Sequence, residues 1–542
     1  MQRRKFLATA TGTLFSAGAG LPISAAVSAA VREQGMQILA RVGPWPVISR
    51  LVAYNGRLWF ANSVKWRNHN SADIWSFDPV LHTVRFERNL YSQDAGIPLV
   101  YKGLLYWPYE DSRHSVGWGM AEVTDGKNWR SLVIPTAEIY HTNVLMAWHD
   151  KLLAITSAWR LGLQVSENNG IDWHRLYDHP TAKGRLSRLY DPLIINGDLY
   201  GQLQDAGETG LVRFTGTDFE SVPGWPKNHR FFAVTVHKGK ILAAVNINGK
   251  DQIWQTDGRR SALLGDQLAK TSLVDMASDG TRFWAVSNKT GQSHIWSSID
   301  GIDWQQGASL SGGRPLSIEV IASKVYVAGA GDDGRGILWG PSRSAIARIA
   351  TLPPLPEQFP QSADKQNWQQ TAALLDAKLA DVTQYAHHGR EGLRPMVFDI
   401  VKRGPPPGFF ADRLNAPMPR ETIGAFGGQL QIRAADLGQS ILLWAMGLAR
   451  RPEVPVEILK SSWNEPANTF EKYFNPLPVA IWAVAVSGQK DRITLDALIK
   501  RLDFTDDPLW LRIQVAGALT AVTGKPFAHD FSAWQDWWAK QP

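Results

Sequence analysis

From residue 44 to residue 350 apolar residues alternate with polar ones in short runs, each bounded by turn-forming pairs; after residue 362 they recur three and four positions apart. Alternation is the pattern of a half-buried strand, and a 3.6-residue period that of an amphipathic helix. The chain therefore reads as a strand-built region followed by a helix-built region.

Within the strand-built region a single phrase returns at near-constant spacing. It runs Asn55-Gly56-Arg57-Leu58-Trp59, Lys102-Gly103-Leu104-Leu105-Tyr106, His149-Asp150-Lys151-Leu152-Leu153 and Asn196-Gly197-Asp198-Leu199-Tyr200. It continues as Lys238-Gly239-Lys240-Ile241-Leu242, Asp279-Gly280-Thr281-Arg282-Phe283-Trp284 and Ala322-Ser323-Lys324-Val325-Tyr326. The turns at 56, 103, 150, 197, 239, 280 and 323 are 47, 47, 47, 42, 41 and 43 residues apart. Asn-Gly, Lys-Gly and Asp-Gly supply the positive φ of a tight hairpin at little steric cost. A second strand phrase follows most turns, as in Ile74-Trp75-Ser76, Gln164-Val165-Ser166, Ile253-Trp254-Gln255, Ile295-Trp296-Ser297 and Leu338-Trp339-Gly340. Each repeat thus holds four short strands. Such a sheet cannot bury both faces alone, so the repeats are predicted to stack about an axis as a seven-bladed β-propeller over 44–350. Trp75, Trp254, Trp296 and Trp339 are expected to wedge between blades, which accounts for several of the 24 tryptophans without a ligand.

The stretch Ser298-Ile299-Asp300-Gly301-Ile302-Asp303-Trp304 resembles the Asp-box of bacterial neuraminidase-type (BNR) repeats, and Ser166-Glu167-Asn168-Asn169-Gly170-Ile171-Asp172-Trp173 resembles it with Asn in the acidic place. Thr124-Asp125-Gly126-Lys127-Asn128-Trp129 and Thr256-Asp257-Gly258 look like weaker copies. A short polar side chain accepts hydrogen bonds from the turn's amides, glycine takes the left-handed position, and the tryptophan closes over the hairpin. These units are expected between third and fourth strands, away from the axis, as staples. The resemblance implies the propeller fold and no particular activity. The Arg-Ile-Pro segment expected of a sialidase does not occur.

Leu352-Pro353-Pro354-Leu355-Pro356 and Pro360 mark a linker over 351–362, and 363–542 reads as an all-α domain. Leu375, Leu379, Val382 and Ala386, then Leu437, Ile441, Trp444 and Leu448, fall at helical spacing. Asp507-Pro508 is expected to open a helix that Gly524 closes, and Ser532 with Gln535 to cap the last one. The segment from Asp491 onward resembles bacterial HEAT-like repeats, which implies protein docking or closure against a neighbouring domain. Lys402-Arg403-Gly404-Pro405-Pro406-Pro407-Gly408 reads as a stiff loop crossing between helices, and His387-His388 as a solvated helix end.

Composition adds the compartment. Arg3-Arg4-Lys5-Phe6-Leu7, an apolar Ala/Gly-rich stretch and small residues at Ser24–Ala30 form an n-region, h-region and cleavage zone. This resembles a twin-arginine signal peptide (residues 1–30), which implies a periplasmic or secreted protein. No later stretch approaches a roughly 20-residue apolar span, so no membrane span is expected after leader removal. The absence of cysteine excludes disulfides, thiolate metal sites and a cysteine nucleophile. Three of the seven net positive charges lie in the leader, and no basic stripe remains to suggest nucleic acid. No cofactor fingerprint occurs and no metal site is expected; Asp332-Asp333 reads as a turn, not a calcium site.

Propellers bind at the axial mouth, through loops that enter the inner strand and loops that join the second and third strands. Those of the first four blades are rich in aromatic, basic and acidic residues, and those of blades five to seven are plain. The candidate ligand-binding residues are Trp66, Arg67, His69, Tyr109, Glu110, Arg113, His141, Trp159, Arg160, Arg188 and Asp191. Aromatic planes beside directional polar groups suit a glycan or a peptide, while local packing is the competing reading of each ring. The sequence thus reads as an exported, non-catalytic binding or scaffold protein whose helical domain docks a protein partner. The alternative is a glycan-processing enzyme, a sialidase-like hydrolase or a lyase, working with Glu110, Asp111 or Asp191.

Overall fold

The structure is a computed structural model that describes residues 35–64, 71–111, 118–135, 141–157, 160–181, 185–205, 207–342, 346–357, 359, 367–381, 393–425, 430–463 and 475–542. The alternating segments form seven four-stranded antiparallel sheets, the blades of a propeller over residues 37–340. Their inner strands are Val47–Tyr54, Leu99–Tyr101, His141–Trp148, Ser187–Ile195, Phe231–His237, Leu273–Ser278 and Gly313–Ile321, which number blades 1 to 7. At six of the seven repeated turns two consecutive residues take positive φ, among them Asn55-Gly56 at 47° and 78° and His149-Asp150 at 46° and 61°. Two-residue hairpins of this hand match the twist of the strands they join. The seventh turn works differently: the Asp279 carboxylate accepts from the amides of Thr281 and Arg282 at 2.8 and 2.7 Å.

The ring closes seven residues before its expected start. Gln37–Val42 pairs with Gly336–Gly340 as the outermost strand of blade 7, so both ends of the propeller segment build one sheet. Arg41 clasps it, donating to Asp333 at 3.0 Å and to the Gly312 carbonyl at 3.2 Å. Arg335 meets the same carboxylate at 2.7 Å, so Asp333 is neutralised by two guanidiniums. Trp339 is fully buried, while Trp75, Trp254 and Trp296 are half-buried and pack against the inter-blade cores.

The Asp-Gly-Trp units sit between third and fourth strands, as expected. Asp300 Oδ1 accepts from the amides of Ile302 and Asp303 at 2.8 and 3.0 Å, and the Trp304 indole donates to the Gly301 carbonyl at 3.0 Å. Trp173 bonds Gly170 in the same way. Asp78 is a further copy of the turn without tryptophan, accepting from Val80 and Leu81.

Nine helices follow among the described residues. Leu437, Ile441, Trp444 and Leu448 all point into the core from the helix Ala434–Leu448. Two expected caps are replaced. Asp507 is not a cap: it lies buried in an ion pair with Arg501 at 2.8 Å, and Pro508 precedes the helix Leu509–Thr523. The last helix is capped by Asp530, which accepts from Ala533 N at 2.9 Å, and Gln535 reaches Asp503 instead. The proline-rich loop is tied down by Arg451 on the Pro405 carbonyl and by Glu453 on the Gly408 amide. His387 and His388 lie outside the described residues. No helix among the described residues is long and apolar enough to cross a membrane.

The helical domain and blades 1 and 2 share one hydrophobic core. Trp118, at the start of a blade 2 strand, packs edge-on against Phe398 and Trp444 at 5.4 and 5.5 Å. The helix Leu509–Thr523 crosses the outer edge of blade 1 at Gly517, where an added Cβ would stand 2.7 Å from Asn89 Cβ. Tyr91, buried between the domains, donates to the Gln514 carbonyl at 3.2 Å. The His529 Nε2 lies 3.1 Å from the buried Asp73 carboxylate.

Candidate functional site

The rim at which the inner strands begin carries the polar groups. Six of the seven inner strands bulge there, with register shifts that set Arg50, Asn143, Asp191, Phe232, Val274 and Leu316 out of the regular pairing. A bulge re-aims a side chain and bends its strand. The bulge residues are polar on blades 1, 3 and 4 and apolar on blades 5, 6 and 7. Arg50 and Asp191 hold positive φ, at 63° and 49°, a conformation uncommon outside glycine.

Between blades 1, 2 and 3 the rim is a continuous hydrogen-bond network. Asp94 accepts from the Ser63 hydroxyl and the Ala95 amide, and Ser92 Oγ accepts from the Asp111 amide at 3.1 Å. The Asp94 carbonyl takes the Glu110 amide at 3.1 Å, and Arg50 Nε donates to the Ala95 carbonyl at 3.4 Å. His141 Nδ1 lies 2.6 Å from the Glu110 carbonyl and 2.8 Å from Asp111 Oδ1. The Glu110 carbonyl can only accept, so Nδ1 carries the proton and a neutral ring would hold its lone pair on Nε2. This arrangement orients a histidine as a hydrogen-bond acceptor or a proton acceptor.

Beneath this network lies a buried charge. Glu122 is fully buried, 3.4 Å from Arg88, and accepts from Tyr109 Oη at 3.0 Å and from Ser131 Oγ at 2.6 Å. Burial, with the Glu122 charge adding to it, pushes the Tyr109 phenol well above its ordinary pKa, so it stays a donor. On blade 3, burial lowers the His179 pKa against the opposing pull of Asp205 at 3.8 Å.

The structure sorts the expected residues. Glu110, His141 and Arg188 stand half-buried on this rim and Arg160 is exposed beside it, whereas Asp191 is buried in the middle of its strand. Tyr109 is a correction: it is wholly buried with its hydroxyl on Glu122, and its ring offers no face to a ligand. Trp66, Arg67, His69, Arg113 and Trp159 lie outside the described residues. Sequence reading missed Arg50, Asp94, Gln202 and Arg230. Arg230 immediately precedes an inner strand, the position already singled out in blades 3 and 4, so its signal was present. Arg50 and Asp94 gave none, because bulges and long-range pairing leave no local pattern. No cluster of three or more metal-ligating side chains occurs among the described residues.

No family model and no curated protein matches the chain. Among solved structures it is similar to the β-propeller domain of the Trilobed protease from Pyrococcus furiosus, with 9% identity and a TM-score of 0.40 over 58% of this chain and 100% of that one. It is also similar to the Pan2 WD40 domain of Neurospora crassa, with 11% identity and a TM-score of 0.40 over 57% and 97%. A calcium-binding protein, regucalcin, from Agrobacterium tumefaciens aligns at 11% identity and a TM-score of 0.32 over 48% and 94%.

Proposed function

We propose that this is an exported binding or scaffold protein whose propeller mouth recognises a glycan or peptide, while the helical domain docks a protein partner. The supporting observation is the one-sided rim: Ser63, Asp94, Asp111, His141 and Asn143 gather on blades 1 to 3, with bulges that turn apolar on blades 5 to 7. The shared core ties the helical domain to blades 1 and 2 and stiffens that side of the rim, which lowers the ordering cost of binding. Partner docking then falls to the helical surface turned away from the propeller. The test is a thermal-shift screen of the leader-free protein against glycans, cell-wall fragments and peptides. A rise of several degrees with one class is expected, and its loss in His141→Ala ties binding to the rim. A screen without any hit overturns the reading. Export is tested separately: Arg3→Lys with Arg4→Lys should hold the protein inside the cytoplasm.

The Asp111–His141 contact favours a second reading, a glycan-processing hydrolase or lyase in which His141 Nε2 accepts a proton. Product analysis on any glycan that binds decides it. A hydrolase further requires two carboxyls facing each other about 5–10 Å apart across the mouth.

A further inference from the structure

The rim between blades 4 and 5 is built differently from the rest. Arg188 and Tyr190 lie two residues apart on the inner strand of blade 4, so their side chains share a face. Opposite them on the neighbouring strand stand Gln204 and Gln202, paired with Arg188 and Tyr190 respectively. Four polar side chains therefore form one patch facing blade 5. Arg230, entering the inner strand of blade 5, closes it: its guanidinium lies 5.3 Å from the Tyr190 ring centroid and donates to Gln204 Oε1 at 2.5 Å. Arg188 Nη1 is 3.5 Å from the same tyrosine's hydroxyl.

The patch has donors in excess. Arg188 Nε is buried without a hydrogen-bond partner. Gln202 is fully buried; its Oε1 takes the Phe231 amide at 2.9 Å, and its Nε2 donor has no partner. Among the described residues no carboxylate lies within ion-pair distance of Arg188 or Arg230. Two guanidiniums held at one tyrosine, with two buried donors unanswered, cost free energy in the free protein. An oxyanion supplies both the missing acceptors and the missing charge.

We infer that this patch between blades 4 and 5 binds the oxyanion of an acidic glycan, a carboxylate or a sulfate ester. The inference rests on the binding function proposed above and adds the charge class of its ligand. A sugar fits better than an acidic peptide, because the rest of the rim offers the half-buried His141 and Asn143, whose ring and amide hydrogen-bond hydroxyl groups that such a peptide lacks. One ligand then places its acidic group on blades 4 and 5 and its hydroxyls on blades 1 to 3.

The test is calorimetric titration of the leader-free protein with polygalacturonate, a sulfated chondroitin, neutral laminarin and polyglutamate. Acidic glycan binding is expected, with affinity falling as sodium chloride rises. The first two arms separate carboxylate from sulfate. Arg230→Gln should weaken the acidic glycan roughly ten- to a hundredfold, the value of a charge-assisted hydrogen bond, with the melting temperature unchanged. Arg188→Gln should do the same, and Arg230→Gln keeps the test valid if that half-buried site fails to fold. Equal binding of laminarin, or no effect of Arg230→Gln, overturns the anion site and leaves the binding function standing. Binding of polyglutamate alone overturns the glycan assignment. Binding of no glycan or peptide overturns both.

Discussion

Tyr91 tests whether the two domains form one cooperative unit. It is 2% exposed, and its hydroxyl reaches the helix carbonyls of Gln514 at 3.2 Å and Ile481 at 3.5 Å. A buried aromatic side chain removes about 150–250 Å² from water, worth about 4–6 kcal/mol at about 25 cal/mol per Å². Tyr91→Ala keeps only the Cβ and leaves a cavity, so about 3–5 kcal/mol should be lost. Tyr91→Phe removes the long hydrogen bonds to these helix carbonyls and should cost about 1 kcal/mol or less. The difference between the variants isolates packing from hydrogen bonding. Urea denaturation gives both losses, and hydrogen exchange locates them. Tyr91→Ala should raise exchange in Pro476–Ser487 and Leu509–Thr523 as well as in blade 1. A loss below about 1 kcal/mol for Tyr91→Ala, on the same packing scale, or exchange confined to the propeller, would refute the shared core.

Two further outcomes follow from the charges. Arg88 and Glu122 are 9% and 0% exposed, so Arg88→Met alone strands a buried carboxylate and should cost about 3–5 kcal/mol; Arg88→Met with Glu122→Met should cost less than the sum of the single changes, measured by a double-mutant cycle. The turn aspartates make the fold acid-sensitive. Backbone amides of Ile302 and Asp303 hold Asp300 below its ordinary pKa, and those of Arg260 and Arg259 do so for Asp257. A lowered carboxylate pKa gives stability that is complete above the unfolded value of about 4 and is lost as pH falls through the folded one. Melting temperature should therefore drop below about pH 4, and Asp300→Asn should make that limb shallower; an unchanged limb in the variant argues against the turn bonds.

Residues that act locally were readable in the chain. Asn55-Gly56 and Asn196-Gly197 announce their hairpins because positive φ has few takers, and Asp300 to Trp304 announces its staple because donor, acceptor and lid lie within a few residues. The caps failed where tertiary partners competed. Asp507 had the sequence of a cap, but the buried Arg501 guanidinium took it. Tyr109 had the company of a binding loop, yet its hydroxyl went inward to Glu122 on the adjacent strand. The rim was legible as a neighbourhood, through His141 and Arg188, and illegible as a geometry.

The sequence by itself determined the repeat number, the turn chemistry and the switch from strands to helices, since each is a periodic or short-range property of side chains. Only the tertiary structure decided which strand seals the ring, where the helices dock, and which donors at the mouth are left without acceptors. Those depend on groups tens to hundreds of residues apart, such as Arg41 with Asp333 or Tyr91 with Gln514. Their meeting is fixed by closure of the ring and by burial of a common core, which no local pattern encodes.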